Sequence, residues 1–141
     1  MSEGLEYLAT LSEEQRRVVS TLRDVVRAHL PDGVVETIVD ATLVYRVSDE
    51  YMADQSVNGP PPESAALRSE YGHASLNMTG LVADPNGIAR FREEWATFDK
   101  PIDMDGACLR ITRTSDVPLV VIGDAITRHG PEELLAGRDG T

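Results

Sequence analysis

His73, Ser75 and Cys108 are the residues of this chain whose types could act on a bound molecule. An imidazole beside a thiol can take its proton and leave a thiolate nucleophile, and a serine hydroxyl can be activated in the same way. Ser75 lacks the G-x-S-x-G turn that exposes a nucleophilic serine at a strand end. Cys108 stands in an alternating stretch, where a lone cysteine usually serves as a small half-buried apolar residue. Histidine, cysteine and aspartate can also converge on a transition metal, but the chain holds no C-x-x-C or H-x-x-x-H spacing. It has no G-x-G-x-x-G and no phosphate-binding P-loop, so nothing supports nucleotide chemistry. Two acidic groups, Asp49, Glu50 and Asp54 in one place and Asp99, Asp103 and Asp105 in another, are candidates for a weak hard-cation surface. The competing reading is solvated charge that keeps the protein soluble. His29 and His129 fall at helix ends near the negative pole of the dipole, which favours capping over catalysis.

These residues need elements to position them. Ser12 with Gln15 three residues on is a capping-box pattern, and Val18, Val19, Leu22, Val25, Val26 and Leu30 recur at the helical period, predicting a helix over 12–30. Arg16, Arg17, Arg23 and Asp24 lie off that stripe. Alternation over 39–47 predicts a strand with Val39, Ala41, Leu43, Tyr45 and Val47 on one side and Asp40, Thr42, Val44 and Arg46 on the other. Residues 54–69 are polar, small and proline-rich, which predicts a long loop or a disordered insertion. A second strand is expected over 71–79, with Ala74, Leu76 and Met78 inward and His73, Ser75 and Asn77 outward. Asp84 and Pro85 should start a helix carrying Ile88, Phe91 and Trp95. A third strand over 107–112 turns Leu109 and Ile111 inward and Cys108 and Arg110 outward, with 101–104 as another strand or its lead-in. Asp116 and Pro118 open a last helix that ends near His129 and Gly130, and 131–141 reads as a frayed tail.

If the helices cover one side of the sheet, the other side carries Asp40, Thr42, Arg46, His73, Ser75, Asn77, Cys108, Arg110 and Thr112. Such a face either binds a small molecule or protein or is simply solvated. The composition narrows the partners. With 141 residues the chain has room for one ordinary core, and a net charge of -11 repels phosphate backbones and anionic lipid heads. Nucleic acid and membrane are therefore not expected. A single cysteine rules out an intramolecular disulfide, the first six residues are acidic where a signal peptide is basic, and the apolar run 117–123 is too short for a bilayer. The expected compartment is the cytoplasm.

Several strings in order resemble the YdhG-like family of small bacterial domains of unknown function: Tyr7-Leu8-Ala9-Thr10-Leu11-Ser12-Glu13-Glu14-Gln15-Arg16, Tyr45 at the end of a strand, Gly72-His73-Ala74-Ser75-Leu76, Asp84-Pro85-Asn86-Gly87, and Leu109-Arg110-Ile111. The resemblance spans about residues 5–128 and implies a frataxin-like α+β fold, with some members described as iron chaperones. The chain reads Ala41-Thr42-Leu43-Val44-Tyr45 where the family usually has a Gly-Met-Pro-x-Tyr turn. Frataxins put a carboxylate ridge on the first helix, yet here Glu13, Glu14 and Asp24 meet Arg16, Arg17, Arg23 and Arg27.

The expectation is a single α+β domain over 1–130, an antiparallel sheet with the N- and C-terminal helices on one face, a flexible insertion at 54–69 and a tail at 131–141. Its function is expected to be non-enzymatic binding of the YdhG-like type, with iron as a candidate cargo held by Asp49, Glu50, Asp54, Asp103 and Asp105. The alternative is small-molecule or protein binding at His73, Arg110, Asp40, Ser75, Asn77, Arg46 and Tyr45. An enzyme built on Cys108 and His73 is the third reading.

Overall fold

Ser12 begins the longest helix, as its spacing predicts. In the computed structural model, which describes residues 3–70 and 72–139 and the side chains of 4–70 and 72–137, helix α1 covers Glu3–Ala9 and α2 covers Glu13–His29. The Ser12 side chain accepts from the Gln15 backbone N–H and so caps α2. The reciprocal half of the capping box is replaced by a tertiary contact: Gln15 Oε1 accepts from the Ser69 hydroxyl at 2.8 Å. Val19, Leu22 and Val26 are fully buried along the expected stripe.

Six strands follow, β1 (Val34–Val39), β2 (Thr42–Val47), β3 (Glu63–Glu70), β4 (His73–Asn77), β5 (Met104–Asp105) and β6 (Cys108–Ile111). They form one sheet in the order β1-β2-β3-β4-β6-β5, with every neighbouring pair antiparallel. The single strand expected over 39–47 is instead the second half of a hairpin. Asp40 and Ala41 form its two-residue turn, at φ 49° and 57°. Two successive left-handed residues are the mark of a type I′ turn, normally written Asn-Gly or Asp-Gly, and alanine in the second place hides it.

The largest correction concerns 54–69. Helix α3 (Asp49–Asp54) ends at its first residue, residues 55–62 form a connection as expected, but from Glu63 onward β3 runs through the middle of the sheet with Ala65 and Leu67 fully buried. Ser64, Ala65 and Ala66 have low strand propensity and no bulk, so the segment looks like a loop in isolation. Tertiary pairing on both edges, with β2 and with β4, overrides that weakness. The expected second strand appears as β4; Tyr71, its first expected residue, lies outside the described residues.

Between β4 and β5 lie α4 (Gly80–Ala83) and α5 (Gly87–Ala96), and after β6 come α6 (Leu119–Arg128) and α7 (Pro131–Asp139). Asp84 does not cap a helix at Pro85; its Oδ1 accepts from the Asn86 N–H at 3.2 Å in a turn between α4 and α5. Trp95 is core, as expected, and its Nε1 donates to the carbonyls of Lys100 and Pro101. The expected tail is a helix: α7 buries Leu134 at 2% exposure, and its Gly137 backs onto Ala83. Residues 140–141 lie outside the described residues.

One core joins these elements. Leu43, Tyr45, Leu67, Leu76 and Leu109 from the sheet meet Leu22, Val26, Phe91, Ile122 and Ile126 from the helices. Each fully buried side chain of this size contributes about 1.5–3 kcal/mol through removal from water. The result is a single α+β domain on an antiparallel sheet, and among the described residues no helix is long and apolar enough to cross a membrane.

Candidate functional site on the outer sheet face

Strand register decides which polar residues share a face. Residues paired across an antiparallel ladder point the same way, so the pairs Arg68 with Ser75, Glu70 with His73, Ser75 with Arg110, and Asn77 with Cys108 stand together. Their strand neighbours Leu67, Ala74, Leu76, Leu109 and Ile111 point into the core. Alternation therefore places His73, Ser75, Asn77, Cys108 and Arg110 on the outer face, as expected. The β5–β6 hairpin adds Asp105, opposite Cys108, and Asp103, whose carbonyl accepts from the Arg110 backbone N–H at 2.9 Å.

A cavity of about 310 Å³ opens on this face, walled by Glu70, His73 and Ser75 from the centre of the sheet and by Asp103, Asp105, Cys108 and Arg110 from its edge. Glu70 is joined to Arg68 at 3.2 Å. Cys108 Sγ lies 3.2 Å from Ser75 Oγ, so the thiol and the hydroxyl form one polar contact at the floor. The exposed Arg110 side chain is also a wall of an adjoining cavity of about 180 Å³, which it shares with Asp103 and Trp95. Opposite charges thus face each other: a guanidinium with five fixed donors against the Asp103 and Asp105 carboxylates, which are acceptors only.

Register also separates His73 from Cys108. Cys108 is paired with Asn77, four residues along β4 from His73, and four residues of strand span ~13 Å. The two side chains line one cavity without being placed for direct proton transfer.

The remaining expected residues go elsewhere. Asn77 shares the face but stands beside the cavity rather than in its wall. Asp40 is in the β1–β2 turn, and Arg46 donates to the Val47 carbonyl and to Asp49 Oδ1 at 3.2 Å, tying it to the start of α3. Tyr45 is fully buried on the opposite face, where its hydroxyl donates to Glu36 Oε2 at 2.9 Å. Burial, with the Glu36 carboxylate beside it, pushes the Tyr45 phenol well above the usual range. Asp49, Glu50 and Asp54 are exposed on α3, after β2, whereas Asp103 and Asp105 belong to the edge strand β5 and its lead-in. The five carboxylates do not form one centre. Among the described residues, no group of three or more His, Cys, Asp or Glu side chains stands where it could hold a metal ion.

Sequence reasoning missed Glu70, because it fell between the supposed insertion at 54–69 and the strand expected over 71–79; the alternation of Ala66, Arg68 and Glu70 with Leu67 was the signal available. It also missed Arg23. This side chain is 4% exposed, and it donates to both oxygens of Glu36 through Nε at 2.9 Å and Nη2 at 2.8 Å. The hydrogen bond to Glu36 raises the Arg23 pKa further still. No family model, curated protein or solved structure matches the chain.

Proposed function

We propose that the protein is a non-enzymatic binding protein whose outer sheet face takes a small zwitterionic molecule, about the size of an amino acid. One observation carries this reading: the cavity of about 310 Å³ sets Arg110 against Asp103 and Asp105, with His73 and the Ser75–Cys108 pair between. A ligand carboxylate would take the guanidinium fork, and a ligand ammonium or guanidinium would take the aspartates. The volume lies at the small end of the usual range for small-molecule sites. None of the wall side chains named above is required by the core, so their polarity serves the face rather than the fold. The YdhG-like resemblance supports the reading only in its element order, a capped helix, an antiparallel sheet and a closing helix.

The test is an NMR titration of the labelled protein with L-arginine, L-glutamate, putrescine and succinate. L-Arginine should give saturable shifts at Ser75, Cys108 and Arg110, and succinate, which lacks a cation, should give none. Shifts with succinate as large as with L-arginine, or L-arginine binding that survives Arg110→Ala unchanged, would overturn the proposal.

A further inference from the structure

A larger cavity, of about 530 Å³, lies among the helices, between the α4–α5 turn, the end of α6 and α7. It shares no wall with the outer sheet face. Val82, Ala83, Pro85 and Ala136 give it an apolar lining, and Val82 is 66% exposed at its margin. Asp84, Arg128, His129 and Glu133 supply its polar groups.

Two of those polar groups carry unmet hydrogen-bonding capacity among the described residues. His129 is 4% exposed, and among those residues its Nε2 has no partner; the buried Nε of Arg128 has none either. Such groups are rare in a folded interior, because each forfeits the hydrogen bond it made to water. The placement of His129 is built in: a Cβ on Gly80 would come within 2.8 Å of its Nδ1, so only glycine lets α4 press against the ring. A Cβ on Gly137 would fall 2.3 Å from Ala83 Cβ, so glycine again permits the approach of α7 to α4.

Charge selects among ligands. Arg128 Nη1 is paired with Glu94 at 3.3 Å, and Glu94 also pairs with Arg90 at 3.0 Å. Asp84 and Glu133 have no such cationic partner among the described ion pairs. Burial together with the Arg128 charge lowers the His129 pKa, so the ring is held as a neutral acceptor or donor rather than a cation. An anionic ligand would meet two carboxylates there, and a wholly apolar one would bring no N–H donor for the neutral His129 Nε2 to accept from.

We propose that this cavity is a second binding site, for a small molecule that joins an apolar body to a protonated amine. The apolar body would rest on Val82, Ala83, Pro85 and Ala136, and the ammonium would be read by Asp84 and Glu133.

The probe pair is 2-phenylethylamine and 3-phenylpropionate, matched in shape and opposite in charge. The amine should produce saturable methyl shifts at Val82, Ala83 and Ala136, and the acid should produce none. Asp84→Asn with Glu133→Gln, both at side chains outside the core, should weaken amine binding about tenfold, a loss of about 1.4 kcal/mol. Arg110→Ala should leave amine binding unchanged, which separates this site from the outer sheet face. The proposal is overturned if the acid binds as well as the amine, if neither gives saturable shifts, or if the double substitution leaves the amine's affinity as it was.

Discussion

Two polar regions lie on opposite sides of one sheet, and they differ in what their polar atoms meet. On the helix side, Arg23 and Glu36 are joined in a bidentate pair, with the Tyr45 hydroxyl donating to the same carboxylate. Their side chains are almost closed to water, at 4% exposure for Arg23 and 14% for Glu36. On the outer side, Arg110 is exposed, and it faces Asp103 and Asp105 across a cavity. The same residue types thus do two jobs. A buried charge must find its partner within the chain, since desolvation is otherwise uncompensated, whereas an exposed one is free to meet a ligand.

The first way to break this comparison is to leave the buried carboxylate alone. Arg23→Leu should destabilise the protein by about 3–5 kcal/mol, the usual cost of orphaning one member of a buried pair. Urea unfolding measures it, and a loss under about 1 kcal/mol would mean that Glu36 reaches water. A gentler disturbance comes from α1. A Cβ on Gly4 would stand 2.6 Å from Arg23 Nη2 and 2.7 Å from Glu36 Oε1, so Gly4→Ala should cost about 1–3 kcal/mol by forcing the pair apart. Tyr45→Phe removes one donor and leaves the bidentate pair, and should cost about 1 kcal/mol.

How far the sequence discloses each region follows from the same contrast. The outer face is legible because alternation in β4 and β6 is strict, and alternation alone assigns His73, Ser75, Cys108 and Arg110. The buried pair is not, because Arg23 and Glu36 lie 13 residues apart and meet only when α2 docks on the sheet and Arg23 reaches across to β1. Helix α2, β4, β6 and α6 carry periodic apolar residues and could be read directly. β3 could not, since its Ser64-Ala65-Ala66 run becomes a strand only by pairing with β2 and β4. Nor could α7, whose mixed composition hides its buried Leu134.

His129 offers a comparison within the helical layer. Its folded-state pKa is lowered by burial and by Arg128, with Asp84 and Glu133 opposing, so between that value and the unfolded value the unfolded chain binds the extra proton. Stability should therefore be full above about pH 6.5, the ordinary histidine value, and fall as the pH drops below it. Urea midpoints from pH 7.5 to 5.5 should show this slope, and His129→Gln should flatten it. An equal slope in the variant would place the titration elsewhere.

The most direct test of the account is one double variant measured twice. His73→Ala with Arg110→Ala should shift stability by no more than ~1 kcal/mol, since neither side chain packs in the core. In the same sample, L-arginine should no longer produce saturable shifts at Ser75 and Cys108. A double variant that unfolds, or one that keeps its stability and still binds L-arginine as the parent does, would contradict the claim that this face is kept polar for a ligand.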